Sequence, residues 1–319
     1  MILMIYIMSG NPKILITGGF GNLGSWLCEY YNQKGYDITI LSNRVREIGD
    51  TNYTVVQADI SNRTELTTKL SGSFDYCIHT ASYNEHFHDD YAEKALLINS
   101  LGTRNLIEII KHSGIKRFIY FSTFHVYGNC SSYINELNPP SPMNDYATTH
   151  LFAEYYLKQF CNTTEFPGVI CRLTNSYGAP KAVDNGKWYL VLNDLVKSAY
   201  EKGVIEILSN GKASRDFVWM GDVCQVTEKL LSKNAGCEIF NISSGQNYKV
   251  KELANIVRKV YEKRYQNEID ISVNQNDLNE YQDVIVDNAK LLNHIEHKFS
   301  NKLEDEIVNI FSLLENRGG

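Results

Sequence analysis

The stretch TGGFGNLG, Thr17 to Gly24, follows the short apolar run KILIT (Lys13–Thr17) and leads into an amphipathic run from Leu23 to Lys34. A buried strand, a turn with glycines at 18, 21 and 24, and then a helix make a strand–turn–helix unit. Glycine lets the backbone turn tightly and come close to a bound group. The first turn of the helix offers unpaired N–H groups and the positive end of its dipole. That combination suits a pyrophosphate, so Gly18, Gly21, Asn22, Leu23 and Gly24 are expected to hold a dinucleotide.

Outward from this turn, short apolar runs alternate with helical ones. DITIL, YTVVQ, YCIHT, RFIYFS and GVICRL read as strands. Between them lie helices from about Thr64, from about Tyr91 to Ser113, and from about Tyr146. Continuous apolar strands separated by helices predict an α/β fold with a doubly wound parallel sheet covered on both faces. After Arg172 the alternation loosens. A helix near Lys187–Glu201, strands VIEIL and EIFNI, a helix from Val250 and a last amphipathic helix from Leu303 to Leu314 are mixed with loops. The expected organisation is a dinucleotide-binding domain over 1–172, rejoined by segments near 215–243, and a smaller, interrupted substrate domain mainly over 173–319.

Composition narrows the function classes. The 319 residues are 43% hydrophobic with a formal net charge of −6, and no basic patch stands out, which argues against nucleic acid. The apolar N-terminus MILMIYIM is too short to span a bilayer and lacks a basic leader, and Met8 is an alternative start. A soluble, cytoplasmic protein with no membrane association is expected. The seven cysteines form no C-x-x-C pair and read mostly as buried small hydrophobes in a reducing compartment. His86 and His88 make an H-x-H stretch without further ligands, so no metal site is expected.

The second strand should carry the residue that reads the adenosine ribose. An acid there binds the hydroxyls and excludes a 2′-phosphate. Here the strand ends Leu41-Ser42-Asn43-Arg44, with no acid and with an arginine close by. NAD is the expected cofactor and NADP stays open. Asp59, in the ADI that follows the third strand and includes Ile60, is placed to accept from an adenine amino group.

Further motifs occur in order: HTAS (His79–Ser82), Asn99 in LINSLGTRNL, FSTFHVYG, YATTH, RLTNSYG and RDFVWMGDV. Together with the glycine turn, these closely resemble the extended short-chain dehydrogenase/reductases, specifically the nucleotide-sugar epimerase and dehydratase family, from Lys13 to about Val257. The resemblance implies that Tyr146 is the acid/base and that Thr123 hydrogen-bonds the reacting sugar oxygen. It implies that Thr80, Ala81 and Ser82 line the cofactor, that Asn99 orders the site from beneath, and that Asn175 and Arg215 hold the substrate diphosphate. Asp216 and Asp222 are expected to organise their loop. Trp188, in the region Lys181–Leu192 with Tyr189, is expected at the nucleotide base or else in the core.

One position departs from the family pattern. Where the family has lysine, four residues after the tyrosine, this chain has His150. A cation there lies on the same helix face as the tyrosine, favours phenolate and bonds the nicotinamide ribose. Histidine can still donate to the ribose, but it is shorter and titrates near 6.5.

The reaction is expected at carbon 4 of a nucleotide-activated sugar. A 4,6-dehydratase needs an acidic pair directly after the Ser/Thr, and Phe124 and His125 stand there, so dehydration is disfavoured. A 4-epimerase and a 4-dehydrogenase or reductase need no further group and are not separated by the sequence. No acid/base pair for epimerisation beside the ketone is assignable, and Cys130 lies nearby without a motif. A protein that binds and senses dinucleotide without catalysis is the alternative from another class. Apolar stripes on the helices from about Tyr91 and Tyr146, including Leu96, Leu97, Leu106, Ile107, Leu151, Tyr155 and Tyr156, imply by the resemblance a homodimer or a larger homo-oligomer.

Overall fold

A computed structural model describes residues 10–44, 53–84, 89–128, 132–181, 187–233 and 236–316. The first half runs β1 (Lys13–Thr17), α1 (Asn22–Gln33), β2 (Asp37–Ser42), β3 (Thr54–Gln57), α2 (Arg63–Lys69), β4 (Tyr76–His79), α3 (Tyr91–Ala95), a π-helical segment (Leu96–Gly102), α4 (Thr103–Ile110) and β5 (Arg117–Thr123). A 3₁₀ turn (Phe124–Tyr127), β6 (Tyr133–Ile134), α5 (Asp145–Thr164), β7 (Gly168–Leu173) and β8 (Asn175–Tyr177) follow. The remainder is α6 (Val191–Lys202), β9 (Val204–Ile207), β10 (Ser214–Trp219), α7 (Met220–Ser232), β11 (Glu238–Ile242), β12 (Asn247–Lys249), α8 (Val250–Tyr265), β13 (Asp270–Val273), β14 (Ile285–Val286), α9 (Ala289–His294) and α10 (Leu303–Glu315).

Seven strands form one sheet in the order β11-β7-β5-β4-β1-β2-β3, and every neighbouring pair is parallel. Successive side chains of a strand point to opposite faces. Ile14 and Ile16 of β1 therefore pack with Leu27 and Tyr31 of α1 and Val223 and Leu230 of α7 on one face. Leu15 packs with Leu66 of α2, Leu106 and Ile107 of α4, and Ala153 and Leu157 of α5 on the other. After β3 the chain crosses back over β1 to lay down β4, so strand order reverses between β1 and β4. A crevice opens at the carboxyl ends of the strands at such a switch point.

The long helix expected from Tyr91 to Ser113 is broken by the π-helical segment. Its wider turn holds Asn99 and Ser100 buried while Leu96, Leu97 and Leu101 stay exposed. The later helix expected from Lys187 begins only at Val191. The strand EIFNI is β11 and joins the edge of the large sheet beside β7. A second core gathers around α6, α8 and α10, with Leu195, Val196, Leu253, Val257, Ile307 and Phe311 at its centre. No helix among the described residues is long and apolar enough to cross a membrane. The N-terminal apolar run, His86, His88 and Cys130 lie outside the described residues.

Candidate active site

The glycine turn lies where β1 meets α1. Gly18 has φ +68°, and a Cβ there would come within 2.9 Å of the Ala81 backbone. A Cβ on Gly24 would run into the Gly18 carbonyl oxygen. Only glycine fits both places, and the backbone they shape is the wall of a cavity of about 370 Å³. Gly21 caps α1 with no side-chain bond, so the helix N-terminus keeps donors for a ligand.

This cavity is lined by Gly18, Gly21, Asn22, Leu23, Gly24, Ser42, Asn43, Arg44, Asp59, Ile60, Thr80, Ala81, Ser82 and Tyr146. Asp59 uses one carboxylate oxygen to accept from the Ser61 backbone and hydroxyl, at 2.8 and 2.7 Å. The β2 end carries the Ser42 hydroxyl, which accepts from the Arg44 backbone at 3.2 Å, in place of an acid. Among the lining residues that the sequence reading did not assign to the cofactor are Lys187 and Tyr189. The Lys187 ammonium donates to the Tyr189 hydroxyl at 2.9 Å, and Tyr189 reaches the Asn84 carbonyl at 3.3 Å. The glycine cradle, the uncapped helix end and the polar lining at both ends fit a dinucleotide.

A second cavity of about 460 Å³ adjoins the first, sharing Asn22, Leu23, Thr80, Ser82, Tyr146 and Tyr189, and is lined further by Thr123, Phe124, His125, His150, Asn175 and Arg215. Tyr146 stands in the first turn of α5, whose N-cap Asn144 accepts from Ala147. Burial pushes its phenol up to about 12, against a lowering hydrogen bond with Thr123 and with a further raise from Tyr189. Thr123, at the end of β5, also accepts from the His125 backbone at 3.2 Å.

His150 is one turn on, its ring 4.6 Å from that of Tyr146 and edge-on to it. Its Nδ1 is 2.6 Å from the Tyr120 hydroxyl and its Nε2 is 3.0 Å from Ser82 Oγ. Burial lowers its pKa to about 3, helped by the proximity of His125. The ring is therefore neutral at physiological pH, and the charge that lysine would bring to this position is absent. His79, 5.4 Å ring to ring from Tyr120, bonds Thr17 and Thr103 through its two nitrogens, and burial lowers it to about 3 as well.

The remaining candidates separate. Asn99 is fully buried and lines neither cavity. It binds the Tyr83 backbone through both amide atoms and donates to Thr149, so it ties the π-helical segment to α5 beneath the site. Asn175 donates to the Asp216 carbonyl at 3.0 Å and faces the second cavity. Arg215 and Asp216 form no ion pair. Asp216 turns inward to accept from Thr174 and Ser244, and its neighbour is exposed towards the cavity. Asp222 accepts from the Ser300 backbone at 2.6 Å and faces His297. Trp188 lines neither cavity and packs in the second core with Leu192 and Leu195.

The sequence reading also missed a buried pair behind the tyrosine. Glu154, two turns beyond Tyr146, receives Arg172 of β7 at 2.9 and 2.6 Å and Ser122 of β5 at 2.6 Å. Desolvation opposes the Arg172 charge, but the Glu154 bond outweighs it and the guanidinium is held firmly protonated. An arginine inside the otherwise apolar run GVICRL was the available signal. No group of three metal-ligating side chains occurs among the described residues.

The chain is similar to proteins of known activity. It is 27% identical over 282 residues to a UDP-glucose 4-epimerase of Bacillus subtilis, covering 77% of this chain and 81% of that one. It is 26% identical over 269 residues to a dTDP-D-glucose 4,6-dehydratase of Mus musculus, covering 77% and 73%. The crystal structure of a UDP-glucuronic acid 4-epimerase from Bacillus cereus, bound to UDP-glucuronic acid and NAD, superposes with a TM-score of 0.78 at 21% identity, over 96% of this chain and 99% of that one. The model of the NAD dependent epimerase/dehydratase family matches residues 14–243, which hold the parallel sheet from its second residue on and both cavities, and the chain belongs to that family.

Proposed function

We propose that the protein is an NAD-dependent 4-epimerase of a nucleotide-activated sugar. The observation that carries this reading is the lining of the second cavity. It joins Tyr146 and Thr123 to the cation Arg215, and no Asp or Glu lines it among the described residues. Elimination across carbons 5 and 6 needs such an acid; inversion at carbon 4 does not. The epimerase relatives support the same choice.

In this mechanism bound NAD supplies the acceptor, and later the donor, of the carbon 4 hydride. Gly18, Gly21 and the α1 N-terminus hold its pyrophosphate, and Asp59 and Ser42 bind its adenosine half. Tyr146 takes the proton of the 4-hydroxyl and returns it, and Thr123 orients that oxygen. Arg215 and Asn175 hold the sugar diphosphate through charged and neutral hydrogen bonds. Phe124 and His125, next to Thr123, form a wall without a carboxylate against the sugar.

The test is incubation with UDP-glucose, UDP-N-acetylglucosamine and UDP-glucuronic acid, with sugar configuration followed by proton NMR. A 4-epimer should accumulate to equilibrium with no net reduction of cofactor. A 4-keto-6-deoxy product would establish a dehydratase instead, and tight dinucleotide binding with no conversion would establish a non-catalytic binder. Arg215→Ala should weaken UDP-sugar binding roughly 10- to 100-fold, the worth of a hydrogen bond to a charged group, and leave NAD affinity unchanged. Equal losses for both ligands would remove Arg215 from the substrate site.

We further propose a homodimer. Leu96, Leu97, Leu101, Phe152 and Tyr155 are all exposed and line an apolar groove of about 490 Å³ between the π-helical segment and α5. Leu106, Ile107 and Leu151 of the same stripes face inward. A second copy of this face, set across a two-fold axis, would cover the groove with like side chains. Sedimentation should give a dimer at micromolar concentration, and Leu97→Asp with Phe152→Asp should give a folded monomer. A wild-type monomer would sink this assignment.

A further inference from the structure

We propose that Tyr120 is a positioning residue that holds His150 as an uncharged ring with its single proton on Nε2, the nitrogen on the cofactor side. The inference deepens the reading above and rests on it for what lies beyond Ser82, the partner of Nε2. The tautomer itself follows from the protein alone.

Tyr120 lies in the middle of β5 and is almost fully buried. Among the described residues its hydroxyl meets one hydrogen-bonding group, His150 Nδ1, at 2.6 Å. A phenol carries one proton and needs one acceptor for it. If the imidazole donated from Nδ1, the Tyr120 proton would be left without an acceptor in a dry interior, which is the costlier arrangement. So the phenol donates and Nδ1 accepts. A neutral imidazole has one N–H, and it must then be on Nε2. That nitrogen is 3.0 Å from Ser82 Oγ, and Ser82 lines both cavities. Ser82 accepts, and its own hydroxyl proton is left to point elsewhere.

The groups around the ring offer no counter-charge that would hold a proton on both nitrogens. Tyr146 faces it from its own helix, and Tyr120 covers it from β5. His125 from the 3₁₀ turn disfavours a positive charge on it. His79 of β4 has both nitrogens committed to Thr17 and Thr103 and cannot pass it a proton. Glu154, on the next turn of α5, is taken up by Arg172 and Ser122. No carboxylate is hydrogen-bonded to His150 among the described residues. The chain has therefore replaced a charged side chain at this position with a neutral, directional donor. With Nε2–H given to Ser82 Oγ, the ring would fix the Ser82 hydroxyl so that its own proton could meet a hydroxyl of a bound nicotinamide ribose, and it brings no charge to Tyr146.

The assignment is read by two-bond proton–nitrogen NMR of the ¹⁵N-histidine-labelled protein, with His150 identified by the signals lost in His150→Gln. The expected pattern is that of the Nε2–H tautomer, unchanged from pH 8 to about 5.5, a range in which a free imidazole would titrate. In Tyr120→Phe the Nδ1 resonance should move and both tautomers should appear, while the His79 signals stay in place. The same variant should lower kcat by roughly 10- to 100-fold with KM for the sugar little changed, the mark of lost orientation. An Nδ1–H pattern, an imidazolium at neutral pH, or a Tyr120→Phe spectrum identical to wild type would overturn the proposal. The wild-type spectrum decides the tautomer even where the variant fails to fold. It also needs no turnover: an inactive protein with an Nε2–H ring supports the tautomer and sinks only the epimerase reading. An active one with Nδ1–H does the reverse.

Discussion

Tyr146→Phe is expected to keep its dinucleotide and to lose turnover by roughly 10²- to 10⁴-fold, the range that a positioned acid/base contributes. The hydroxyl is the only part removed, and the ring still fills the space beside His150. A loss of less than threefold would take Tyr146 out of the chemistry. The same residue sets the expected pH dependence. Burial raises the phenol to about 12, and His150, lowered to about 3, offers no opposing charge. The base form of Tyr146 is the deprotonated one, so raising the pKa depletes it. At pH 8 about one site in 10⁴ carries phenolate, and the rate of oxidation should climb close to tenfold per pH unit on the alkaline side. His150→Lys places an ammonium one turn along the same face and should move that rising limb about one unit or more towards acid. An unmoved limb, with Tyr146→Phe still inactive, would mean that the phenol's ionisation does not set the rate.

Arg172→Met is expected to cost about 3–5 kcal/mol of stability, because it strands the Glu154 carboxylate in the interior with Ser122 as its remaining donor. Glu154 and Arg172 are essentially sealed from solvent, and the guanidinium also stacks 4.6 Å from the Tyr127 ring centre. The double variant Glu154→Leu with Arg172→Met removes both charges and should recover much of the loss, since a buried ion pair and an apolar pair of similar volume are often close in stability. Urea midpoints of the three variants would measure this. A single-variant cost under 1 kcal/mol would show that water or another donor reaches Glu154. The pair joins α5 to β5 and β7, so it also fixes the helix that carries Tyr146, and the surviving Arg172→Met protein should have lower activity.

The parallel sheet is legible because its strands are short runs of Ile, Val and Leu, and the glycine turn marks where they begin. β1 lies over Lys13–Thr17, where the run KILIT ends at the turn. The second half is harder to read. Its strands are as short as two residues, and their partners come from remote segments: β6 pairs with β14, and β9 with β13. A run of two or three residues carries no periodicity to recognise. The π-helical segment is invisible for a similar reason, since one wide turn barely disturbs an apolar stripe. In the site, Tyr146, Thr123 and His150 are visible through motif spacing on α5 and at the end of β5. Tyr120 and Glu154 are not, because their meaning lies in partners on other elements. Trp188 shows the converse: an aromatic in a loop reads equally as ligand contact or core, and here it is core.

Two buried imidazoles, His79 and His150, also tie folding to the release of protons. His79 and His150 are both uncharged in the native state down to about pH 3. In the unfolded chain each would bind a proton below about 6.5. Between those limits the unfolded state holds more protons, so stability is intact above about 6.5 and falls as the solution is acidified. Each ring contributes about 1.4 kcal/mol of loss per pH unit, a steep gradient against a native margin of about 5–15 kcal/mol. Folding is thus coupled to proton release at two rings, His150 in the wall of the second cavity and His79 beside Tyr120. The dryness that withholds phenolate from Tyr146 near neutrality also makes acid destabilising, so the expected working range lies towards alkali.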